Sequence, residues 1–336
     1  MMNRTRNQGG FSLVELMIGI ALGLIVMAAL TSFFVKSSQN RREIDRAGRQ
    51  IENGRYAVSA LRDELHLTGF FAELSTAGVS WQTPDPCTAT GAMGFQVSPL
   101  QVPVPIFGYA DGATMPTCVT DRMAGTDVLV IHRLNTEMTP IASASANNTP
   151  YLQISRCATD STTTPWVFAA GSSAGSFTVR NTACSAANNV YRYRTEIFYV
   201  RTWSAASGDG IPTLVKVDLD WNRNTTTGLN VLPLVEGIEN MRIEYGVDND
   251  GDGAPDEYRR CDTTVTPCTA LQWANVTAAR VYVLARNLET TQGYTDTKTY
   301  DMGSGATRTV GPFNDAIKRH VYAAMVTLPN RAGPRE

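Results

Sequence analysis

Residues 11 to 35 hold one charge, Glu15, in a run otherwise made of apolar, glycine, serine and threonine residues. As a helix rising 1.5 Å per residue, such a run spans about 37 Å, more than the roughly 30 Å hydrocarbon core of a bilayer. An ordinary secretory signal has a shorter apolar region with small residues after it. Here the small pair Gly9 and Gly10 precedes the run, so a cut after Gly10 removes a short basic leader bearing Arg4 and Arg6 and keeps the helix. Glu15 is the costly feature. A carboxylate near the centre of a membrane helix costs about 2.5–3.5 kcal/mol, somewhat less near an end, and calls for a partner. Cleavage after Gly10 places an α-amine on Phe11, one turn from Glu15, and that amine is a suitable partner within one chain or between two.

The helix is expected to run on to about Leu67. No proline occurs before Pro84, and the next strong break is Thr68-Gly69. Ile44, Ala47, Ile51, Gly54, Val58, Leu61 and Leu65 follow a 3-4 spacing that draws one stripe along a helix. Ala47 and Gly54 permit close approach, so the stripe reads as a helix lying across a sheet, with a coiled coil as the competing reading over three heptads. Beyond it, β-rich runs are expected at residues 127–133, 151–154, 176–180, 190–203, 213–221, 238–247, 279–286 and 319–328. Several alternate polar with apolar residues, as antiparallel strands with one wet face do. Residues 75–125 and 143–189, rich in Thr, Ser, Ala, Gly and Pro, read mostly as long surface loops. The expected class is α+β: a long N-terminal α-helix, with a transmembrane half and an amphipathic half, packed on an antiparallel β-sheet with long disulfide-stapled loops.

Composition narrows the function. Lys and Arg number 29 against 31 Asp and Glu, a net charge of −2, so no nucleic-acid binder is indicated. Three histidines, His66, His132 and His320, leave little for His-based catalysis or zinc. The Gly-x-Ser-x-Gly match at residues 171–175 lacks the strand-then-helix setting a nucleophile elbow needs, so no enzyme is expected. Cys87, Cys118, Cys157, Cys184, Cys261 and Cys268 contain no Cys-x-x-Cys pair. Of the 15 connectivities six cysteines allow, pairing of sequence neighbours is the expectation: 87–118, 157–184 and 261–268. In residues 248–256, Asp248, Asp250, Asp252 and Asp256, with the Ala254 carbonyl, can wrap a structural calcium ion, Gly253 supplying the turn. Position twelve is Arg259 rather than Glu, so the site departs from an EF-hand and should bind weakly.

Gly10-Phe11-Ser12-Leu13-Val14-Glu15 resembles the prepilin-peptidase site of type IV pilins and type II secretion pseudopilins. The resemblance implies cleavage after Gly10, methylation of the new Phe11 amine, and pairing of Glu15 with a neighbouring subunit's N-terminus during assembly. The blocks Gly125-Thr126-Asp127-Val128-Leu129-Val130, Ile197-Phe198-Tyr199-Val200, Leu234-Val235-Glu236-Gly237-Ile238-Glu239-Asn240-Met241 and Tyr245-Gly246-Val247-Asp248 look like PilW-type minor pilins. J-type minor pseudopilins of type II secretion are the nearest alternative, and a calcium-dependent tip adhesin is another. The implied organisation is a leader at 1–10, a transmembrane half-helix at 11–35, an amphipathic half at 36–68 and a periplasmic domain at 69–336. By the same resemblance, the partners are the prepilin peptidase, the inner membrane before assembly, the major pilin and other minor pilins through the stem, and a tip-associated adhesin. The implied role is to prime a pilus serving twitching, adhesion or DNA uptake, first from the inner membrane and then outside the cell.

Overall fold

The computed structural model describes residues 10, 12–88, 91–219, 228–262, 266–304 and 308–332. One helix, α1 (Leu13–Leu67), carries both expected halves without interruption. The chain divides into two compact units, Met1–Arg49 and Gln50–Glu336. In the first, the apolar side chains of α1 are bare, from Leu13 and Val14 through Phe33, Phe34 and Val35. A helix apolar all round belongs in lipid or among like helices.

In the second unit the strands follow in order. β1 (Ser80–Gln82), β2 (Gln96–Val97) and β3 (Leu100–Pro103) form a small sheet in which β1 runs parallel to β3. β4 (Ile106–Tyr109), β5 (Val128–Thr139), β6 (Pro150–Ile154), β7 (Trp166–Ala170), β8 (Val190–Arg201), β9 (Thr213–Leu219) and β10 (Leu229–Glu236) make a seven-stranded antiparallel sheet. Its main path is β10-β9-β8-β5-β4, with β6 pairing β8 and β7. A second antiparallel sheet, β12-β11-β13-β16, is built from β11 (Ile238–Val247), β12 (Glu257–Arg259), β13 (Val276–Arg286) and β16 (Arg319–Thr327). β14 (Tyr300–Asp301) and β15 (Thr309–Val310), which pair antiparallel, come between β13 and β16 in chain order. Two main sheets therefore stand where one was expected.

Seven of the expected strands form, β11 at its expected bounds and most others with shifted ends, and residues 176–180 do not. There a 3-10 turn, Gly171–Ser176, is followed by a single bridge between Arg180 and Ala187. The regions read as loops also hold β1 to β4, β6 and β7. Leu152, Ile154, Trp166 and Tyr193 bury a second apolar cluster there with Phe71 and Phe95.

The helix enters the main core through Ala57, Leu61 and Leu65, which pack with Ile106, Val130, Phe198 and Val217 of one sheet and Met241, Ile243 and Val281 of the other. The buried line on α1 is Gln50, Gly54, Ala57, Leu61 and Leu65. Ile51 and Ile44, expected in the seam, are 44% and 71% exposed. The shift is possible because Gln50 Nε2 donates to Ala285 O at 3.0 Å and Lys318 O at 2.9 Å, so a polar side chain enters the seam with its donors used. Gly54 is required by packing: a Cβ there would sit 2.2 Å from the Tyr322 ring.

Charge also holds this seam. Lys216 Nζ reaches Glu64 Oε1 at 2.7 Å and Glu196 Oε1 at 3.0 Å. Arg133 Nη2 bridges Glu64 Oε2 at 3.2 Å and Glu196 Oε1 at 3.1 Å, and Arg194 joins Glu196 to Asp218. Burial disfavours the Glu64 charge, but hydrogen bonds with Lys216 and Glu196 and the charges of Lys216 and Arg133 outweigh it and hold its pKa below the ordinary value. At the C-terminal end of α1, Asn330 Nδ2 donates to the His66 and Thr68 carbonyls at 3.2 and 3.1 Å, meeting acceptors a helix end leaves open.

Candidate functional site

The N-terminal segment expected to be processed is exposed where it is described. Gly10 is open, with nothing within 4 Å of an added Cβ, and Phe11 lies outside the described residues. Glu15 Oε2 accepts the Ser12 amide at 3.0 Å, one arm of a capping box at the start of α1. Within a single chain, then, the Glu15 carboxylate caps its own helix. The remaining apolar surface of residues 13–35 offers a neighbour no charge except Glu15.

The acidic loop 248–256 leaves the end of β11 and returns through β12. Asp248 is fully buried; its Oδ1 accepts the Gly251 amide at 2.6 Å and its Oδ2 the Gly253 amide at 3.0 Å. Asp250 Oδ1 accepts the Asp252 amide at 3.2 Å, and Asp256 Oδ2 the Asn249 amide at 2.7 Å. Carboxylate oxygens of Asp248, Asp250 and Asp256 come within 4.8 Å of one another. Asp252 stands apart from that trio: its Oδ1 takes the Ala254 amide at 2.7 Å. Backbone amides thus relieve much of the carboxylate repulsion expected from the sequence, as loops with Asp at turn positions commonly arrange.

The cysteines join as sequence neighbours: Cys87–Cys118, Cys157–Cys184 and Cys261–Cys268, with Cα separations of 5.5, 5.1 and 4.9 Å. The last closes the segment between β12 and the short helix Ala270–Ala274. Loop-closure entropy assigns about 2.5 kcal/mol to the short loop and about 3.5–4 kcal/mol to each long one. Peptide mapping of the chain without reductant should recover these three pairs; free thiols at all six positions would contradict the bridges. The Cys157–Cys184 bridge has a neighbour in the Arg180–Asp160 ion pair at 2.6 Å, which pins the same loop.

No hydrolase geometry forms at residues 171–175. β7 leads into the 3-10 turn Gly171–Ser176, with no α-helix after it to set a nucleophile. His132 is buried, its Nδ1 donating to Val104 O at 2.8 Å, and burial pushes its pKa down to about 4. It is a core imidazole, neutral at physiological pH. Gln50, Glu64 and Asn330 were not singled out from the sequence as fixing α1. For Glu64 a signal existed, since the β8 and β9 positions it meets carry alternating charges, Arg194, Glu196, Lys216 and Asp218.

A family model described as type IV pilus-assembly protein W matches residues 197–330, and one for the prokaryotic N-terminal methylation motif matches residues 5–31. No curated protein matches the chain. Among solved structures, a type IV-like pilin from Thermus thermophilus is similar at 15% identity, over 62% of this chain and 79% of that one, with a TM-score of 0.26. That likeness is too remote to carry detail across.

Proposed function

We propose that the chain is a PilW-type minor pilin of the type IV pilus, a sparse, tip-proximal subunit that primes pilus assembly. The observation that carries the reading is α1 itself: a bare apolar half with Glu15 near its start, continuous with a half locked into the core by Leu61, Leu65 and Glu64. A stem of this kind enters a bundle of like helices, and a large two-sheet body suits a subunit used rarely better than one repeated along a fibre. On this reading Gly10 is the cleavage residue, Phe11 the methylated one, and Glu15 the partner of a neighbour's amine. Other minor pilins, the major pilin and a tip-associated adhesin are its proposed neighbours. The prepilin peptidase acts on it in the inner membrane, and residues 69–336 face the periplasm before reaching the exterior. The PilW match over residues 197–330 favours this over a J-type pseudopilin. Quantitative mass spectrometry of sheared pili should find the chain far below the major subunit. Equal amounts would overturn the sparse, tip-proximal placement.

We further propose that the acidic loop takes calcium as a weak structural ion. The support is the convergence of the Asp248, Asp250 and Asp256 oxygens within 4.8 Å. Oxygen-only donors suit a hard cation, and the flexible geometry suits calcium better than magnesium. Binding to the folded state alone adds about 2.7 kcal/mol at a hundredfold excess over Kd. The chain in detergent should therefore melt several degrees higher in millimolar calcium than in chelator, and Asp256→Asn should abolish the difference. An unchanged melting temperature, with no heat of binding, would leave the loop to its backbone amides.

A further inference from the structure

Along one flank of α1, two adjoining hollows share Arg55 and Tyr322 and so form one groove. The larger, about 390 Å³, is lined by Gln50, Ile51, Tyr294, Lys298, Lys318 and His320 besides the shared pair and Arg319. The smaller, about 210 Å³, adds Val58, Ser59, Arg62 and Ala323. Four cationic side chains, Arg55, Arg62, Lys298 and Lys318, thus border the groove, and no carboxylate is among the residues lining it. Arg319 contributes little outward charge because Glu239, Asp296 and Asp315 hold its guanidinium. The floor is apolar and aromatic: Ile51, Val58, Tyr294 and Tyr322.

The far wall adds a second feature. β16 is the last strand of its sheet, paired with β13 on one side and with no strand on the other among the described residues. Its nine residues, Arg319–Thr327, contain neither proline nor glycine. A free edge of that length is a template for an added strand. By contrast, β10, the edge of the other large sheet, carries Pro233 and a register shift beside it, which blunt it.

We propose that this groove docks an extended acidic segment of a partner chain, laid beside β16 with its carboxylates on Arg55, Arg62, Lys298 and Lys318. An extended segment repeats every second residue, so alternating acidic and apolar residues present carboxylates to the cationic border and apolar groups to the floor. The assignment rests on the groove's charge and its open edge, independently of the pilus reading. The test uses the full chain in a nonionic detergent and a short fluorescein-labelled peptide alternating glutamate with valine. Polarisation should show saturable binding that weakens with added salt. The double variant Arg55→Ala/Lys298→Ala, which changes two exposed residues, should bind about tenfold more weakly. Arg41→Ala/Arg42→Ala, outside the groove lining, should bind as the parent does. No binding, equal binding of the lysine–valine peptide, or an unchanged affinity in the groove variant would each overturn the proposal. Complete displacement by a few millimolar inorganic phosphate would overturn it too, marking a site for small anions.

Discussion

A Gly10→Val chain should accumulate in the inner membrane at full length, with its leader attached, and should be missing from pili. The peptidase site that residues 10–15 resemble needs a residue without a branched side chain before the cut. Valine adds a branched Cβ there, so the effect expected is complete loss of processing rather than a slowing. The variant is informative because the fold is indifferent to it: an added Cβ at Gly10 meets nothing within 4 Å. Membrane insertion should be kept, since residues 13–35 are unchanged. Fractionation and the mass of the membrane-bound chain check this, and a variant of mature mass in pili would refute the cleavage assignment.

Leu61→Ala should cost about 3 kcal/mol of stability, within the range of 2–5 kcal/mol for truncating a buried leucine. Leu61 is fully buried and contacts the shared core of both sheets. For a body of this size, that loss lowers the melting temperature by roughly 6–12 °C. Ile51→Ala, on the same helix one residue beyond the buried line at Gln50, should change stability by less than about 0.5 kcal/mol. Denaturant unfolding of the two variants in detergent therefore reads the phase of the seam. Equal losses would place Ile51 in the core and contradict the packing described.

That phase marks where the sequence was readable and where it was not. The helix from Leu13 to Leu67 was legible because apolar content, the absence of proline and the Thr68-Gly69 break all agree. Gly54, Leu61 and Leu65 were placed in the seam correctly and Val58 packs against the same core, but hydrophobicity favoured Ile51 over Gln50 and left out Ala57. A glutamine is buried only when its amide finds acceptors, and those two carbonyls belong to residues more than 230 positions away in sequence. Nothing local announces them.

The strands show the same division. β5, β8, β9, β11, β13 and β16 follow from alternation and β-branched content. β10 was not among the expected strands; it carries Asn230 and Pro233, and an edge strand tolerates such a proline. The charged positions of β8 and β9 were read as a wet face, yet Glu196 is fully buried and Lys216 and Asp218 nearly so. Glu64 and Arg133 reach that face and pair its charges, a compensation that depends on the helix lying there. In the acidic loop, three of the four aspartates read from the sequence, Asp248, Asp250 and Asp256, bring carboxylate oxygens together. Asp252 points its carboxylate at the Ala254 amide instead of joining the trio. The expected pairing of cysteines with their sequence neighbours holds in all three bridges.

Intact-mass and N-terminal fragment analysis of the chain recovered from pili tests the pilin account most directly. The account predicts a mature chain that begins at Phe11, carries one methyl group on its α-amine, and retains Glu15 at its fifth position. A chain that still begins at Met1, or one cut beyond the apolar run, would contradict it.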